Sequence, residues 1–464
     1  MPQVMISAVH KSSGKTTVSL GLCRALGTRG VSVQPFKKGP DYIDPMWLTE
    51  AAARPCHNLD FRTMSRDEIT ACFLRRARTA DVALIEGNKG LHDGMDLQGS
   101  DSNAALAQLL DVPVLLVVDT QGMARGVAPL ILGYQAFAPQ VRIAGVILNK
   151  VASARHEAKL RAAIEHYTAI PVIGAIGLQP SMTITERHLG LIPSCEMPAA
   201  RRIIARIAAT VGASVDLDRL MQIAASAAPR TAPPPPTGAI THGGDVRLGI
   251  ARDAAFGFYY ASDLEALSDA GAELVEFDTL RDPHLPQVDG LFVGGGFPET
   301  HLDALRGNWS LRRELRAAIE AGLPVYAECG GLMYLSRSIS WHGRRVEMVG
   351  AIPADVRMSP RPAGHGYVRL RETGKGHWPN SRPQFDAHEF HYSTLTNISA
   401  EIDYAYEVLR GTGIDGRHDG IVYRNVLASY AHLHDSQANP WPRRFVGFVR
   451  RCARAAPLRL ASGV

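Results

Sequence analysis

The sequence of 464 residues has few cysteines, and they form no Cys-x-x-Cys motif. The six cysteines are scattered at positions 23, 56, 72, 195, 329 and 452. Such spacing argues against a disulfide framework and against a structural zinc site. We therefore expect the cysteines to be reduced, as they are in cytoplasmic proteins.

The sequence also lacks long apolar runs and long basic runs. No apolar stretch reaches the ~18 residues that a membrane-spanning helix needs, and no basic, signal-like leader precedes the first predicted strand. The net charge of +5 is modest for this length and gives little reason to expect a nucleic-acid partner. We expect a cytoplasmic protein with neither a membrane nor a nucleic acid as its partner.

The length and one change in composition indicate more than one domain. A chain of 464 residues exceeds the usual size of a single core. Residues 226–245 are rich in Ala, Pro, Thr and Gly, and residues 233–236 are all proline. Four consecutive prolines cannot join a helix or a central strand. We predict one domain at 1–225, a linker at 226–245, a second domain at 246–450 and a basic tail at 451–464.

A candidate phosphate-binding loop lies near the N-terminus, where an apolar run is followed by His-Lys-Ser-Ser-Gly-Lys-Thr-Thr and then by helical spacing. In such a loop the backbone amides and the helix N-terminus hold phosphate oxygens, the lysine contacts the terminal phosphate and the first threonine ligates Mg²⁺. Val9 replaces the first glycine of the strict motif, so an ordinary strand-to-helix turn is the alternative. The residues predicted to bind ATP are Ser12, Ser13, Gly14, Lys15, Thr16, Thr17 and, at the end of a later apolar strand, Asn149.

Charged residues follow two further predicted strands of the first domain. One strand leads into Lys-Lys-Gly-Pro-Asp-Tyr-Ile-Asp at 37–44, and another ends on an acid at position 86 and continues into a glycine-rich turn. Continuous apolar strands that alternate with helices predict a parallel sheet, and ligands bind at the carboxyl edge of such a sheet. The predicted Mg²⁺ ligands are Thr16, Asp44 and Glu86. The predicted substrate contacts are Lys38, Asp41, Tyr42, Lys89, His92 and Asp93; a polar surface loop is the alternative.

A second candidate site centres on Cys329, which stands between a short apolar strand and the glycines at 330 and 331. A strand that ends on a nucleophile and turns at once through glycine is typical of a nucleophile elbow. The helix that follows favours the thiolate. Such a cysteine would attack a carbonyl, and the N–H of Gly330 would stabilise the oxyanion. The alternative is an inert buried cysteine.

Two other segments supply partners for this cysteine. His432 is the candidate base, because histidine accepts protons near neutral pH. Residues 289–299 predict a strand that runs into a glycine turn with free N–H groups, so Gly295 and Gly296 are further oxyanion-hole candidates. His388 and His391 are predicted to contact substrate. A metal there is disfavoured, because side chains three apart in an extended segment face opposite ways.

In this order, these pieces resemble the glutaminase domain of class I glutamine amidotransferases, which release ammonia from glutamine through a Cys-His pair. Many members of that class carry His-x-Glu, in which the glutamate orients the histidine. Here His434 stands in that position. The resemblance therefore assigns the pair Cys329 and His432 and leaves the third member open.

The whole chain resembles the cobyrinic acid a,c-diamide synthase family. The motifs that carry the resemblance are SSGKTT, FKKGPDYIDP, EGNKGLHDG, VILNK, GGGFPE, ECGGLMYL, HEFHYS and SYAHLHD, in that order. The resemblance implies an α/β fold class, with an N-terminal P-loop, dethiobiotin-synthetase-like parallel-sheet domain and a C-terminal class I glutamine amidotransferase-like α/β domain. It implies amidation of the a and c acetate side chains of a tetrapyrrole polycarboxylate, with ATP, glutamine and Mg²⁺.

Several alternatives stay open at this point. The sequence of residues 86–103 resembles somewhat more closely the corresponding sequence of relatives that amidate sirohaem or a sirohydrochlorin. A ParA- or MinD-like partition ATPase would explain the first 225 residues but gives no role to Cys329 and His432. A non-catalytic scaffold with a decayed glutaminase half is disfavoured by the same two residues. A homodimer is possible.

Overall fold

The computed structural model describes residues 1–187, 190–228 and 244–455. Residues 229–243, which hold most of the predicted linker, and residues 456–464 of the predicted tail lie outside the described residues. The chain divides into two compact units, Met1–Pro235 and Pro236–Val464. Among the described residues, no helix combines the length and the apolar character that crossing a membrane requires.

The first unit alternates strands with helices. Its strands are β1 (Gln3–Ala8), β2 (Val33–Lys38), β3 (His57–Leu59), β4 (Val82–Glu86), β5 (Val114–Asp119), β6 (Ile143–Val151), β7 (Val172–Gly177), β8 (Glu186–Arg187) and β9 (Gly190–Leu191). Its α-helices are α1 (Lys15–Thr28), α2 (Ile43–Ala52), α3 (Arg66–Ala77), α4 (Asn103–Leu110), α5 (Val127–Phe137), α6 (Ala154–Tyr167), α7 (Ala200–Ser214) and α8 (Leu217–Ala225), and short 3₁₀ turns lie at Pro180–Met182 and Ser194–Glu196.

Seven of these strands form a parallel sheet in the order β3-β2-β4-β1-β5-β6-β7. The side chains of β1 and β4 are buried along their whole length, as apolar strands covered on both faces must be. The predicted parallel sheet of the first domain is therefore confirmed. Because β1 lies between β4 and β5, the loop after β1 and the last residue of β4 reach the same edge of the sheet.

The second unit begins with another alternating pattern and becomes rich in strands. Its strands are β10 (Val246–Ala251), β11 (Phe256–Phe258), β12 (Ala272–Phe277), β13 (Gly290–Val293), β14 (Gly295–Gly296), β15 (Val325–Glu328), β16 (Ser336–Trp341), β17 (Arg344–Glu347), β18 (Ile352–Met358), β19 (Gly364–Glu372), β20 (Gln384–His391), β21 (Ser393–Thr396), β22 (Asp403–Arg410), β23 (His418–Tyr423) and β24 (Val426–Ser429). Its helices are α9 (Ala261–Asp269), α10 (Leu302–Gly307), α11 (Trp309–Glu320), α12 (Gly330–Leu335) and α13 (Trp441–Ala455), with a 3₁₀ turn at Pro298–Thr300.

The main sheet of the second unit has nine strands in the order β12-β10-β13-β15-β24-β23-β22-β19-β20. The strands from β12 to β24 are parallel, and those from β23 onward are antiparallel. Since β15 and β24 are parallel neighbours, the residues after both strands meet at one edge. The predicted second α/β domain is confirmed. α13 continues to Ala455, so the first residues of the predicted tail belong to a helix of this unit.

The edge strand β20 also contacts the segment that follows β24. The His432 N–H donates to the His388 carbonyl at 2.7 Å, and the His388 N–H donates to the His432 carbonyl at 3.3 Å. The backbone hydrogen bonding that runs from β24 through β23, β22, β19 and β20 therefore returns, through one bridge, to the segment that follows β24. We call this arrangement the closed strand ring.

Candidate active sites

The loop between β1 and α1 is shaped for close approach of another group. Gly14 has a φ of 92°, in the left-handed region that favours glycine, and helix α1 begins at the next residue. A Cβ built on Gly14 would lie 2.2 Å from Asn149 Nδ2. That amide donates to the Ser13 carbonyl at 2.8 Å, so Asn149 holds the loop backbone. Ser12 is exposed, and Thr17 is partly exposed at the start of the helix.

The three predicted metal ligands lie together beside this loop. The Thr16 hydroxyl donates to Glu86 Oε1 at 2.8 Å and lies 3.3 Å from Asp44 Oδ2. The ammonium of Lys37 donates to the same two carboxylates, at 2.5 Å to Asp44 and 2.7 Å to Glu86. Sequence reasoning missed Lys37, although a lysine inside a strand that the sheet buries on both faces is a signal in itself.

Burial and neighbouring charges shift the pKa values of the ionisable groups in this cluster. Burial lowers the pKa of Lys37, but Asp44, Glu86 and Asp41 outweigh that effect and raise it well above its usual range. Burial raises the pKa of Glu86. The pKa of Lys15 falls to about 8 because of burial and the neighbouring Lys37 charge.

The same cluster fits a divalent cation. Among the described residues Glu86 Oε2 is buried without a hydrogen-bond partner. Mg²⁺ prefers hard oxygen ligands such as hydroxyls and carboxylates. Thr16, Asp44 and Glu86 provide these ligands around one position, which in this structure contains an ammonium group.

The predicted substrate contacts of the first unit lie in two loops around this cluster. The Lys38 ammonium donates to Asn88 Oδ1 at 3.1 Å, and Asp41 accepts the N–H groups of Ile43 and Asp44 at the start of α2. Tyr42 is buried. In the other loop Lys89 and Asp93 are exposed, and the His92 ring lies 5.0 Å from the ring of Tyr134. Asp41 and Tyr42 therefore serve partly to build the loop, whereas Lys89 and Asp93 are accessible.

In the second unit Cys329 occupies a sharp turn between β15 and α12. Its φ of 46° and ψ of −98° are rare for a residue with a side chain, and its N–H donates to the Ser429 carbonyl at 2.7 Å. The glycines around it allow close packing of the backbone. A Cβ on Gly330 would lie 2.9 Å from the Gly296 nitrogen, and one on Gly331 would lie 2.1 Å from the Val293 carbonyl oxygen.

His432 lies at the same sheet edge as the cysteine, three residues beyond β24. A Cβ built on Gly295 would lie 2.5 Å from its Cε1 atom. Its Nδ1 atom lies 3.1 Å from Oε2 of the buried Glu328. Sequence reasoning missed Glu328. Its signal in the sequence is an acidic residue directly before the cysteine, in a strand whose other residues are buried.

The thiol form of Cys329 is the stable one in the resting site. Burial raises the pKa of its thiol far above the usual range, and the carboxylates of Glu299 and Glu328 add to this, against a hydrogen bond with Gly330 N–H. A nucleophilic thiolate would therefore need a base that takes the proton during the attack.

The other histidines near this site have different surroundings. Desolvation lowers the pKa of His388 to about 3, helped by the charges of His432 and His365. Among the described residues its Nδ1 atom has no hydrogen-bond partner. His391 is buried, stacks on Tyr430 at 3.8 Å and contacts the Ser393 carbonyl through Nδ1. Residues 1–187, 190–228 and 244–455 contain no group of three or more His, Cys, Asp or Glu side chains able to hold a metal ion.

His434, which stands where many amidotransferases have the orienting glutamate, does not take over that role. Its Nε2 atom lies 3.2 Å from the Ser262 hydroxyl, and its ring lies 4.5 Å from that of Tyr260. Burial lowers the pKa of its imidazole to about 4. The structure thus turns His434 toward α9.

The first unit has a glycine-containing loop before a helix, and the second has a cysteine in a sharp turn; with the similarities that follow, they place the protein among nucleotide-dependent ligases that take nitrogen from glutamine. Residues 247–440 match the CobB/CobQ-like glutamine amidotransferase domain, and residues 2–185 match an AAA domain. The cobyrinate a,c-diamide synthase of Magnetococcus marinus is 48% identical over 455 residues, which covers 97% of each chain. That of Methanosarcina acetivorans is 43% identical over 466 residues, covering 94% of this chain and 92% of the relative. The chain belongs to the cobyrinate a,c-diamide synthase family.

Proposed function

We propose that this enzyme amidates the a and c acetate side chains of cobyrinate, with ammonia from glutamine and energy from ATP. The observation that carries the proposal is the similarity to cobyrinate a,c-diamide synthases along the full length of the chain. Sirohaem and sirohydrochlorins are the second candidate substrates. An assay that offers cobyrinate and sirohaem side by side, with ATP and glutamine, tests the choice. Amide mass gained by sirohaem alone would contradict it.

The partition-ATPase alternative is not supported, because the family similarity includes the second unit. The cytoplasmic location, the possible homodimer and the absence of nucleic-acid and membrane partners stay predictions.

In the first unit the substrate carboxylate must be activated before ammonia can attack it. A carboxylate is anionic, and its leaving group would be oxide, so we propose that the γ-phosphoryl group of ATP is transferred to it first. The amides of the loop at Ser12, Ser13 and Gly14 and the Lys15 ammonium would hold the phosphates. Thr16, Asp44 and Glu86 would hold Mg²⁺, which offsets phosphate charge when bound.

In the second unit Cys329 and His432 would release ammonia from glutamine. The thiol proton passes to His432 as sulfur attacks the amide carbon, and the N–H groups of Gly330 and Gly296 stabilise the oxyanion. His432 then returns the proton to the departing nitrogen, which leaves as ammonia. Water cleaves the resulting thioester to glutamate and restores the thiol.

Replacing the nucleophile separates the two activities. Cys329→Ala should abolish glutamine-dependent amidation, because no thioester can form, and should leave amidation with added ammonium within about twofold of wild type. Cys452→Ala, which removes a thiol remote from the elbow, is the matched control. Rates are measured from the amidated macrocycle by mass spectrometry. Loss of both nitrogen sources in Cys329→Ala would contradict this division of labour.

A further inference from the structure

Glu328 is the last residue of β15 and directly precedes Cys329. Its side chain is buried, with 2% exposure. Oε2 lies 3.1 Å from His432 Nδ1, and Oε1 accepts the Leu433 N–H at 2.9 Å. The Tyr326 hydroxyl also donates to Oε1. Both oxygens of this carboxylate therefore contact the segment that carries His432.

We propose that Glu328 is the positioning residue of the glutaminase site, which orients the His432 ring and stabilises its protonated form. The proposal rests on the roles proposed above for Cys329 and His432. A carboxylate that accepts from Nδ1 fixes the tautomer in which Nε2 carries no proton and can accept the thiol proton. When the proton arrives, the negative charge of Glu328 is already in place to stabilise the imidazolium.

The neighbouring carboxylates have other contacts. Asp419 accepts the backbone N–H groups of Tyr430 and Ala431. Asp263 accepts the Asp435 N–H and the Trp441 indole N–H. Both accept backbone N–H groups near His432, whereas Glu328 contacts its ring.

The sheet explains why an acid before the cysteine can serve a histidine about a hundred residues later. β15 and β24 are parallel, and Glu328 is paired with Ser429 in the register. The chain after Ser429 therefore crosses the end of β15 on its way to His432. The end of one strand then carries both the nucleophile and the group that orients its base. A glutamate two residues after the histidine, as in the His-x-Glu motif, is therefore not needed for this orientation.

The test compares three variants in the full-length enzyme. Glu328→Gln should lower kcat for glutamine hydrolysis by about 10²- to 10⁴-fold, with KM for glutamine within about threefold, because a neutral amide cannot stabilise the imidazolium. Glu328→Asp, which keeps the charge, should recover part of the loss. Glu347→Gln makes the same change at an exposed glutamate of β17 and should stay within about threefold of wild type.

Two further readouts distinguish positioning from structural support. The acid limb of the pH profile of kcat/KM should move to lower pH in Glu328→Gln, because the amide no longer favours protonated imidazole. Amidation with added ammonium should be unchanged in the same preparation. If kcat for glutamine hydrolysis is unchanged, or if both nitrogen sources fail together while Glu328→Asp gives no recovery, the proposal is overturned. If wild-type enzyme shows no Cys329-dependent glutamine hydrolysis, the proposed function fails instead.

Discussion

At the scale of single residues, the first unit balances the buried carboxylate of Glu86 and the half-buried carboxylate of Asp44 with one ammonium group. Lys37, 3% exposed, lies within 2.7 Å of both Asp44 and Glu86. Lys37→Met should lower the free energy of unfolding by about 3–5 kcal/mol, because it leaves the buried Glu86 carboxylate and the half-buried Asp44 carboxylate without their partner. MgCl₂ should restore much of the loss by supplying another cation, which urea unfolding with and without the salt would measure.

A matched control for Lys37→Met exists in the same sheet. Lys150 pairs with Asp119 at 2.6 Å, but its side chain is 28% exposed. Lys150→Met should therefore cost about 1 kcal/mol or less and should not respond to Mg²⁺. Equal responses of the two variants would contradict the assignment of Asp44 and Glu86 as a cation site.

We expect His434 to make the second unit sensitive to acid. Burial lowers its pKa from 6.5 to about 4, so between these values the unfolded chain binds a proton that the folded protein does not. Stability should therefore fall as the pH drops from 6.5 to 4, by up to about 3 kcal/mol from this group. His434→Gln should flatten the dependence, which urea unfolding at pH 7 and pH 5 would detect. The exposed His166, replaced by Gln, is the control, and an equal change in both variants would contradict the role of burial.

Some residues of the candidate sites could be predicted from local sequence patterns, and others could not. Lys15, Cys329 and His432 stand in local patterns whose spacing predicts their neighbours. Lys37 and Glu328 each contact a group that is distant in sequence, Glu86 and His432 respectively, and local spacing does not predict either contact. The local sequence shows only that each is a charged residue in a predicted buried strand. Its role becomes clear once the strand order is known.

At the scale of elements, the turn from β15 into α12 depends on the lack of side chains at two positions. A Cβ on Gly331 would lie 2.1 Å from the Val293 carbonyl oxygen, which is fixed in β13. Gly331→Ala should therefore displace the elbow and reduce glutamine hydrolysis by at least about tenfold, with a loss of stability of roughly 1–3 kcal/mol.

The control for Gly331→Ala is Gly307→Ala in the same unit. A Cβ on Gly307 meets no described atom outside its own helix within 4 Å. Glutamine hydrolysis and thermal unfolding, measured together for both variants, would test the difference. Equal effects would show that crowding at the elbow is not the cause.

The positions of the strands could largely be predicted from the sequence, whereas the pairing of segments that are distant in the sequence could not. Apolar runs such as β4, β5 and β15 indicate buried parallel strands, and the predicted fold class is confirmed. The closed strand ring is different. It joins His388 to His432 across 44 residues, and neither segment carries a signal for the other, because backbone hydrogen bonds do not depend on side-chain identity.

At the scale of the whole molecule, the two units carry separate chemistry on one chain. Lys15→Ala should abolish amidation with glutamine and with ammonium alike, because neither nitrogen source can replace phosphoryl transfer. Hydrolysis of glutamine should remain within about threefold of wild type. Lys11→Ala, which alters an exposed lysine of the same loop, is the control. Amidation that persists with ammonium in Lys15→Ala would contradict the assignment.

Because of the bridge between His388 and His432, hydrogen exchange at the backbone amide of His432 reports on opening of the closed strand ring. The amide hydrogen of His432 is bound to the His388 carbonyl, so it exchanges with deuterated water only when the ring opens there. The imidazole on the same residue would lose its alignment at that moment. Protection of this single hydrogen, followed by NMR or mass spectrometry, therefore measures how often the proposed base, His432, is out of position.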